Sequence, residues 1–340
     1  MRMQDSNVIG ELDLEITNAL QLAPRVSWTD LGHVLNAEPT TLARRWQRLL
    51  DDGVARITVV PGRHTVTELL SAYVDLRCAN GAVTEVARIL TDHPEVLSIH
   101  HTAGSAQLMI VLSGGPRLPD YLLTRLGGIP GILEYAVHIV PDLLFETHRW
   151  HARALTADQQ ARLRELNAIG GTVSAGRRPR TEVDQQIIAK LCMNGRASQQ
   201  ELGAAVGLSA PAVARRLRRL LRDGVIRLRC DVARPRLGLP SAAFLRGMVD
   251  PRELSAAQQR LGDRVPELRL ITALAGSSNA QLSVWLRSAA DLFRVEERLN
   301  RELPSLTVKD RVLVLRTMKL MGHVFDDSQR YVRTVPLRIG

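Results

Sequence analysis

The sequence of 340 residues predicts an α+β protein made by tandem duplication, each copy a winged helix-turn-helix followed by a ferredoxin-like βαββαβ domain. Three observations carry this. Leu12 to Arg56 laid over Val183 to Arg227 at a constant offset of 171, with no gap, gives 17 identities in 45 positions, where chance gives about two or three. In each copy, short amphipathic helices joined by a tight turn come first. A pattern of strand, helix, two strands, helix and strand follows.

The second copy shows the helices most clearly. Thr181 and Asp184 mark a helix start, with Val183, Ile187, Ile188 and Leu191 on one face before Gly195. The next helix opens with the capping box Ser198 and Glu201, matched in the first copy by Ser27 and Asp30. Gly207-Leu208-Ser209 makes the turn, Gly tolerating a left-handed backbone and Ser209 capping the third helix. In that helix Val213, Leu217 and Leu220 share one face, and Arg215, Arg218, Arg219 and Arg222 share the other. Guanidiniums so placed suit guanine edges and phosphates in a major groove. VIRLRC then predicts a strand that starts a wing.

Charge separates the copies. Asp184 to Arg229 holds nine Lys and Arg against three acidic residues, whereas Asp13 to Arg56 holds five against six. The first copy keeps Arg44 and Arg48, but Gln47 and Asp51 replace two arginines, and Glu38 stands where Ser209 does. A carboxylate there suits the helix dipole and repels a phosphate. The second module is therefore expected to supply most of the affinity for DNA.

The α/β pattern in the first copy reads as Leu69 to Arg77, Val83 to Thr91, Val96 to Thr102, Ala106 to Leu112, Asp120 to Leu126 and Ile132 to Val140. Val83, Val86, Ala87 and Leu90 form the stripe of its first helix. In the second copy Leu282, Val284 and Leu286 alternate with Gln281, Ser283 and Trp285, as in a half-buried strand. Leu108 to Leu112 is apolar on both faces, so one copy's sheet is expected to pack on the other's as an intramolecular pseudo-dimer. Ala103-Gly104-Ser105 recurs as Ala275-Gly276-Ser277, Gln107-Leu108 as Gln281-Leu282 and Pro130 as Pro304, the offset drifting from 171 to 174. The resulting division is 1–62 and 181–235 as helix-turn-helix domains, 63–150 and 236–330 as ferredoxin-like domains, and 151–180 as a linker. That linker carries a helical patch from Thr156 to Ala168 before the flexible GGTVSAGRRPR.

Composition narrows the function. A formal charge of +10 and a pI near 10.4 favour a polyanionic partner, double-stranded DNA above all. Cys78, Cys192 and Cys230 are odd in number and widely spaced, which points to neither disulfides nor zinc and fits a reducing cytoplasm. No signal-like start and no apolar run of about 18 residues is present, so export and membrane insertion are not expected. No phosphate-binding glycine loop, HExxH or GxSxG occurs. Neither a cofactor nor a metal is expected.

The helix VDQQIIAKL, then ELGAAVGLSAPAVARRLRRLLRDGVI, then a βαββαβ domain with an Ala-Gly-Ser turn, resembles the Lrp/AsnC, or feast/famine, family of bacterial transcriptional regulators. The resemblance implies a sequence-specific DNA-binding regulator that works as dimers or higher assemblies, homo-oligomers included. By position it implies DNA contact at Ser209, Pro211, Arg215, Arg216 and Arg219, with Thr40, Thr41, Arg44 and Arg48 as a weaker set. It places a small-molecule effector at Gly104, Ser105 and Gln107 and at Gly276, Ser277 and Gln281. Amino-acid-sensing members tend to carry acidic residues at this turn and this chain has none, so an effector other than a zwitterionic amino acid is expected.

Siroheme decarboxylases resemble the same fold, and His100 and His101 would be their acid/base or propionate-binding residues here. The following TAGSAQL lacks the aromatic and charged cluster those enzymes tend to have, so no enzymatic activity is expected. An architectural DNA binder with little sequence preference is a third reading, since it keeps the basic helices and needs no ligand.

Overall fold

The computed structural model describes residues 9–62, 65–66, 70–145, 154–167 and 180–337. The chain divides into two compact units, each gathering like halves of both copies. One comprises Met1–Thr65, His151–Ala233 and Arg330–Gly340, the other Val66–Trp150 and Arg234–Gln329. The GGTVSAGRRPR segment lies almost wholly outside the described residues.

In the helical unit, Glu11–Leu22, Trp28–Leu35 and Pro39–Asp51 form the first three-helix set, and Glu182–Met193, Gln199–Val206 and Ala210–Arg222 the second. The Ser27 hydroxyl accepts the Asp30 N–H at 3.0 Å, and Ser198 with Glu201 closes a full capping box. Gly207 takes the left-handed conformation at φ 69° that ends the second helix of the second set. Ser209 stands at the N-cap of the next helix but makes no side-chain cap bond. Ala157–Leu166 forms a further helix, with the Thr156 and Gln159 box at its start.

The expected wings differ from the sequence reading. Strand β1 (Ala55–Pro61) pairs antiparallel with β7 (Ile226–Val232), so each copy's strand takes its partner from the other copy. Reciprocal arginines reinforce this junction. Arg25 donates from Nη1 to the Gly195 carbonyl at 2.6 Å and from Nη2 to Ala197 at 2.7 Å, while Arg196 donates to Pro24 at 2.9 Å and Val26 at 2.8 Å. Arg25 and Arg196 are 171 apart, as are the acceptors Pro24 and Gly195, so the contact is a two-fold one made within a single chain. Burial pulls Arg196 down to about 10, and its guanidinium lies 4.4 Å from the Trp28 ring centroid.

The second unit has two four-stranded halves, β2 (Ser71–Cys78), β3 (Val96–Ala103), β4 (Leu108–Ser113) and β5 (Ile132–Val140), then β8 (Ser241–Met248), β9 (Leu268–Ala273), β10 (Ala280–Leu286) and β11 (Thr307–Leu320). Each half orders its strands fourth, first, third, second. β3 pairs with β11, joining the halves into one sheet. At the far edge β6 (Leu143–Phe145) pairs with β9, and an Ile139–Ala275 bridge brings β5 back to the end of that edge. β11 runs unbroken for 14 residues, whereas its counterpart is split into β5 and β6 at Pro141, which has no N–H for a ladder.

The helices Val83–Thr91, Pro251–Arg264 and Leu292–Glu302 bury one sheet face. In the first half a short helix over Leu118–Asp120 runs into a π-helical turn, Tyr121–Leu126. Two aliphatic cores result, one around Val74, Leu90 and Ile110 and one around Leu245, Leu282 and Val295. The other sheet face is covered by the opposite half, with Tyr73, Met109, Phe244, Val312 and Val314 packed between. Gln281 is therefore buried, and β10 is covered on both faces rather than half-exposed. Lys319 is fully buried and donates to the carbonyls of Thr91 at 2.8 Å and His93 at 3.0 Å, closing a helix end of the first copy from a strand of the second. No helix among the described residues is long and apolar enough to cross a membrane.

Gly195 sits against β1, where an added Cβ would lie 2.5 Å from Ile57 Cγ2 and 2.8 Å from its backbone. Gly195→Ala should destabilise the helical unit by about 1–3 kcal/mol in urea unfolding. Gly10→Ala, with nothing within 4 Å, should lose only the preference of the helix N-cap for Gly over Ala, about 0.5–1 kcal/mol.

Candidate functional site

The helical unit presents two recognition helices, Pro39–Asp51 and Ala210–Arg222. In the second, Val213, Leu217 and Leu220 are buried and fix the helix, while Ser209, Pro211, Arg215 and Arg218 are exposed. Arg215 and Arg218 are in no ion pair among the described residues. Arg216 and Arg219 turn back instead. They hold the buried Asp184 carboxylate at 3.0 and 2.6 Å. Burial alone would raise the pKa of Asp184, but the Thr181 N–H and these guanidiniums hold it below the usual carboxylate range. Arg222 pairs with Asp223 at 3.0 Å. In the first helix Thr40, Arg44 and Arg48 are exposed and Thr41 partly so, while Arg45 repeats the internal pair with Asp13 at 3.1 Å and Gln47 is bound to Asp51.

The expected effector residues fall in different settings. Gly104, Ser105, Gly276 and Ser277 lie on exposed turns. The Gln107 side chain accepts the Cys78 N–H at 2.9 Å, as Asn279 accepts that of Val249 at 2.9 Å. The counterpart of Gln107 is thus Asn279, not Gln281, and the offset there is still 172. Gln281 belongs to the space between the two halves.

That space holds a polar constellation which composition did not reveal. Arg246 donates from Nη2 to Asp75 Oδ1 at 2.8 Å and from Nη1 to Oδ2, and its Nε donates to Gln281 Oε1 at 2.7 Å. His138 Nε2 lies 3.1 Å from Asp75 Oδ2. Burial would raise the Asp75 carboxyl, but bonds from Arg246 and His138 hold it below its ordinary value. Asp75 and Arg246 are themselves 171 apart, so duplicated positions have diverged into a complementary pair. The readable signal was a charged residue in the interior of each of the mainly apolar strands SAYVDLRC and SAAFLRGM, Asp75 in one and Arg246 in the other.

A second group surrounds His100. Its Nδ1 lies 3.1 Å from Thr317 Oγ1, its ring meets Phe244 edge-on at 5.3 Å, and Arg234 Nη2 donates to the same Thr317 hydroxyl at 3.0 Å. His101 is only partly buried. Arg269 and Arg234 lie 3.6 and 5.9 Å from the Trp285 ring centroid. Such a cluster can orient an anion beside a neutral imidazole.

Fold and recognition helices together define a helix-turn-helix protein with paired α/β halves. The AsnC-type helix-turn-helix domain model matches residues 181–221. The chain is 35% identical over 133 residues to the HTH-type transcriptional regulator Rv2324 of Mycobacterium tuberculosis, covering 38% of this chain and 85% of that protein. It is 27% identical to LrpC of Bacillus subtilis, covering 36% and 83%. The chain belongs to the Lrp/AsnC family of helix-turn-helix transcriptional regulators. These matches span about one copy and do not speak for the tandem arrangement. Over almost the whole chain the fold is similar to that of the siroheme decarboxylase NirDL, solved with an iron-uroporphyrin III analogue. The TM-score is 0.59 at 16% identity, covering 92% of this chain and 93% of that one. A second NirDL structure gives 0.58 at 15%, covering 94% and 96%. The expectation that the chain has no enzymatic activity is thereby overturned, because the architecture that matches from end to end is an enzyme's.

Burial, with Arg234 nearby, pushes the His100 imidazole down to about 3. A histidine whose folded pKa lies below its unfolded one binds more protons when unfolded, so its contribution is lost as pH falls from about 6.5. Urea-unfolding free energies should fall steadily from about pH 6.5 towards acid, and His100→Gln should flatten the upper part of that slope. An unchanged slope in the variant would show that His100 is not the titrating group.

Proposed function

We propose that the chain is a regulator that binds duplex DNA, the second recognition helix contributing most of the contact and Arg44 and Arg48 of the first setting register. The observation that carries this reading is the exposure of Arg215 and Arg218 on a helix whose neighbouring arginines are held by Asp184. On this reading Ser209, Pro211 and Arg222 flank the contact, and Arg216 and Arg219 brace it from behind. Each half of the second unit is then a ferredoxin-like βαββαβ module whose pairing partner the duplication supplies. Duplication also frees the operator from palindromic symmetry.

Each phosphate contact adds about 0.9 to the slope of log affinity against log salt. Arg215→Ala with Arg218→Ala should therefore weaken binding and lower that slope by about 2, with a smaller loss for Arg44→Ala with Arg48→Ala. Equal losses from both pairs would remove the asymmetry, and binding indifferent to salt would remove the reading.

The end-to-end likeness to NirDL supports a second reading at least as strongly: decarboxylation of a tetrapyrrole carrying carboxylate side chains, with His100 in an acid/base role. The test is anaerobic incubation of the protein with siroheme, followed by mass spectrometry. Loss of carbon dioxide that disappears in His100→Ala supports it. An unchanged substrate with well-folded protein rules it out.

A further inference from the structure

The two recognition helices form an inverted pair. Thr58 of β1 lies opposite Arg229 of β7, its own counterpart 171 positions on, so the two-fold relation that Arg25 and Arg196 obey passes through the middle of the ribbon. Equivalent positions on the two helices therefore meet equivalent base pairs of inverted half-sites. Much of each helix is already committed. Leu42, Trp46 and Leu49 are buried, as are Val213, Leu217 and Leu220, and Arg45, Arg216 and Arg219 are held by aspartates. Among the exposed positions Arg44 matches Arg215, so that place is alike in both copies. One turn further, Gln47 matches Arg218. The second place lies about 4.5 Å along the axis from the first, between one and two base steps of about 3.4 Å.

The two side chains there suit different bases. A guanidinium forks onto guanine O6 and N7, whereas an amide offers one acceptor and one donor, the complement of adenine N6 and N7. The Gln47 amide is also oriented. Its Nε2 donates to Asp51 Oδ1 at 2.8 Å, and because a carboxylate only accepts, the amide cannot turn over without losing that bond. The Oε1 acceptor and a second N–H remain for a base. At the place of Asp51 the second helix has Arg222, which pairs with Asp223 and leaves Arg218 unengaged by either. A guanidinium on a guanine edge still carries its charge into the groove between the phosphate rows, so Arg218 displaces counterions there as well.

Resting on the DNA-binding reading above, we propose that the operator is an inverted repeat broken at one matched base pair, adenine facing Gln47 in one half-site and guanine facing Arg218 in the other. Asp51 is the positioning residue that sets the Gln47 amide.

The test is enrichment of a pool of random duplexes by the full chain, with sequencing of the bound fraction and titration of single duplexes. The expected motif has adenine in one half and guanine in the other at one matched position. Replacing that A·T pair by G·C should weaken the wild-type protein about tenfold. Gln47→Arg should reverse this preference and make the repeat symmetric there, and Arg218→Gln should remove the guanine from the other half. Asp51→Ala should cut the discrimination at the A·T pair to under about threefold. A wild-type motif symmetric at this position, or a preference unmoved by Gln47→Arg, would overturn the proposal. A uniform gain in affinity for Asp51→Ala with discrimination intact would overturn the role of Asp51, since removal of a carboxylate that only repels phosphate acts on every sequence alike. Binding without any motif overturns the base assignment and leaves DNA binding standing, whereas no binding at all removes the DNA-binding reading and this operator with it.

Discussion

The constraint on which the rest depends is the strand edge that each copy leaves open. An unpaired row of N–H and C=O groups cannot be buried without a partner, and each copy's partner is the other copy. β1 finds it in β7, and β3 in β11. The same logic extends to side chains that cap the other copy's carbonyls, as Arg25 and Arg196 do reciprocally and Lys319 does at the end of Val83–Thr91. Neither half of either unit is complete alone.

Once two copies share one chain, symmetry is no longer enforced, and the departures from it gather where chemistry can occur. Asp75 and Arg246 occupy equivalent places and satisfy each other, which two identical subunits could not do with this pair. His100 is matched by Thr272, and Thr317 by Leu143, so the hydrogen-bonded pair exists at one seam only. Pro141 breaks the strand at the other seam. On the recognition helices the same divergence shows as arginines in one copy and Gln47 and Asp51 in the other.

The two proposed readings assign different chemistries to one scaffold. A fold constrains where a site can be built and leaves open what it does. The exposed arginines and the buried His100 group are distinct features of this chain, and nothing in their geometry makes them exclusive of one another.

The helices, their caps and the repeat were legible because they are local. Capping boxes act over three residues, a buried helical stripe recurs every three or four, and an ungapped duplication is visible by inspection. The division of the arginines was not legible. Arg216 and Arg219 share a helix with Arg215 and Arg218, but their engagement depends on Asp184, more than 30 positions away and brought near by helix packing. Nor could spacing show that Gln107 answers to Asn279, since the matching Gln-Leu pair at Gln281 lies two places off the register that the backbone bonds impose. The sequence by itself determined the elements and their duplication, because these follow from propensity and short-range periodicity. Only the tertiary structure decided which strand edges meet, which charges pair and where His100 lies, because hydrogen bonds across 171 to 228 residues are set by how the two copies close on each other.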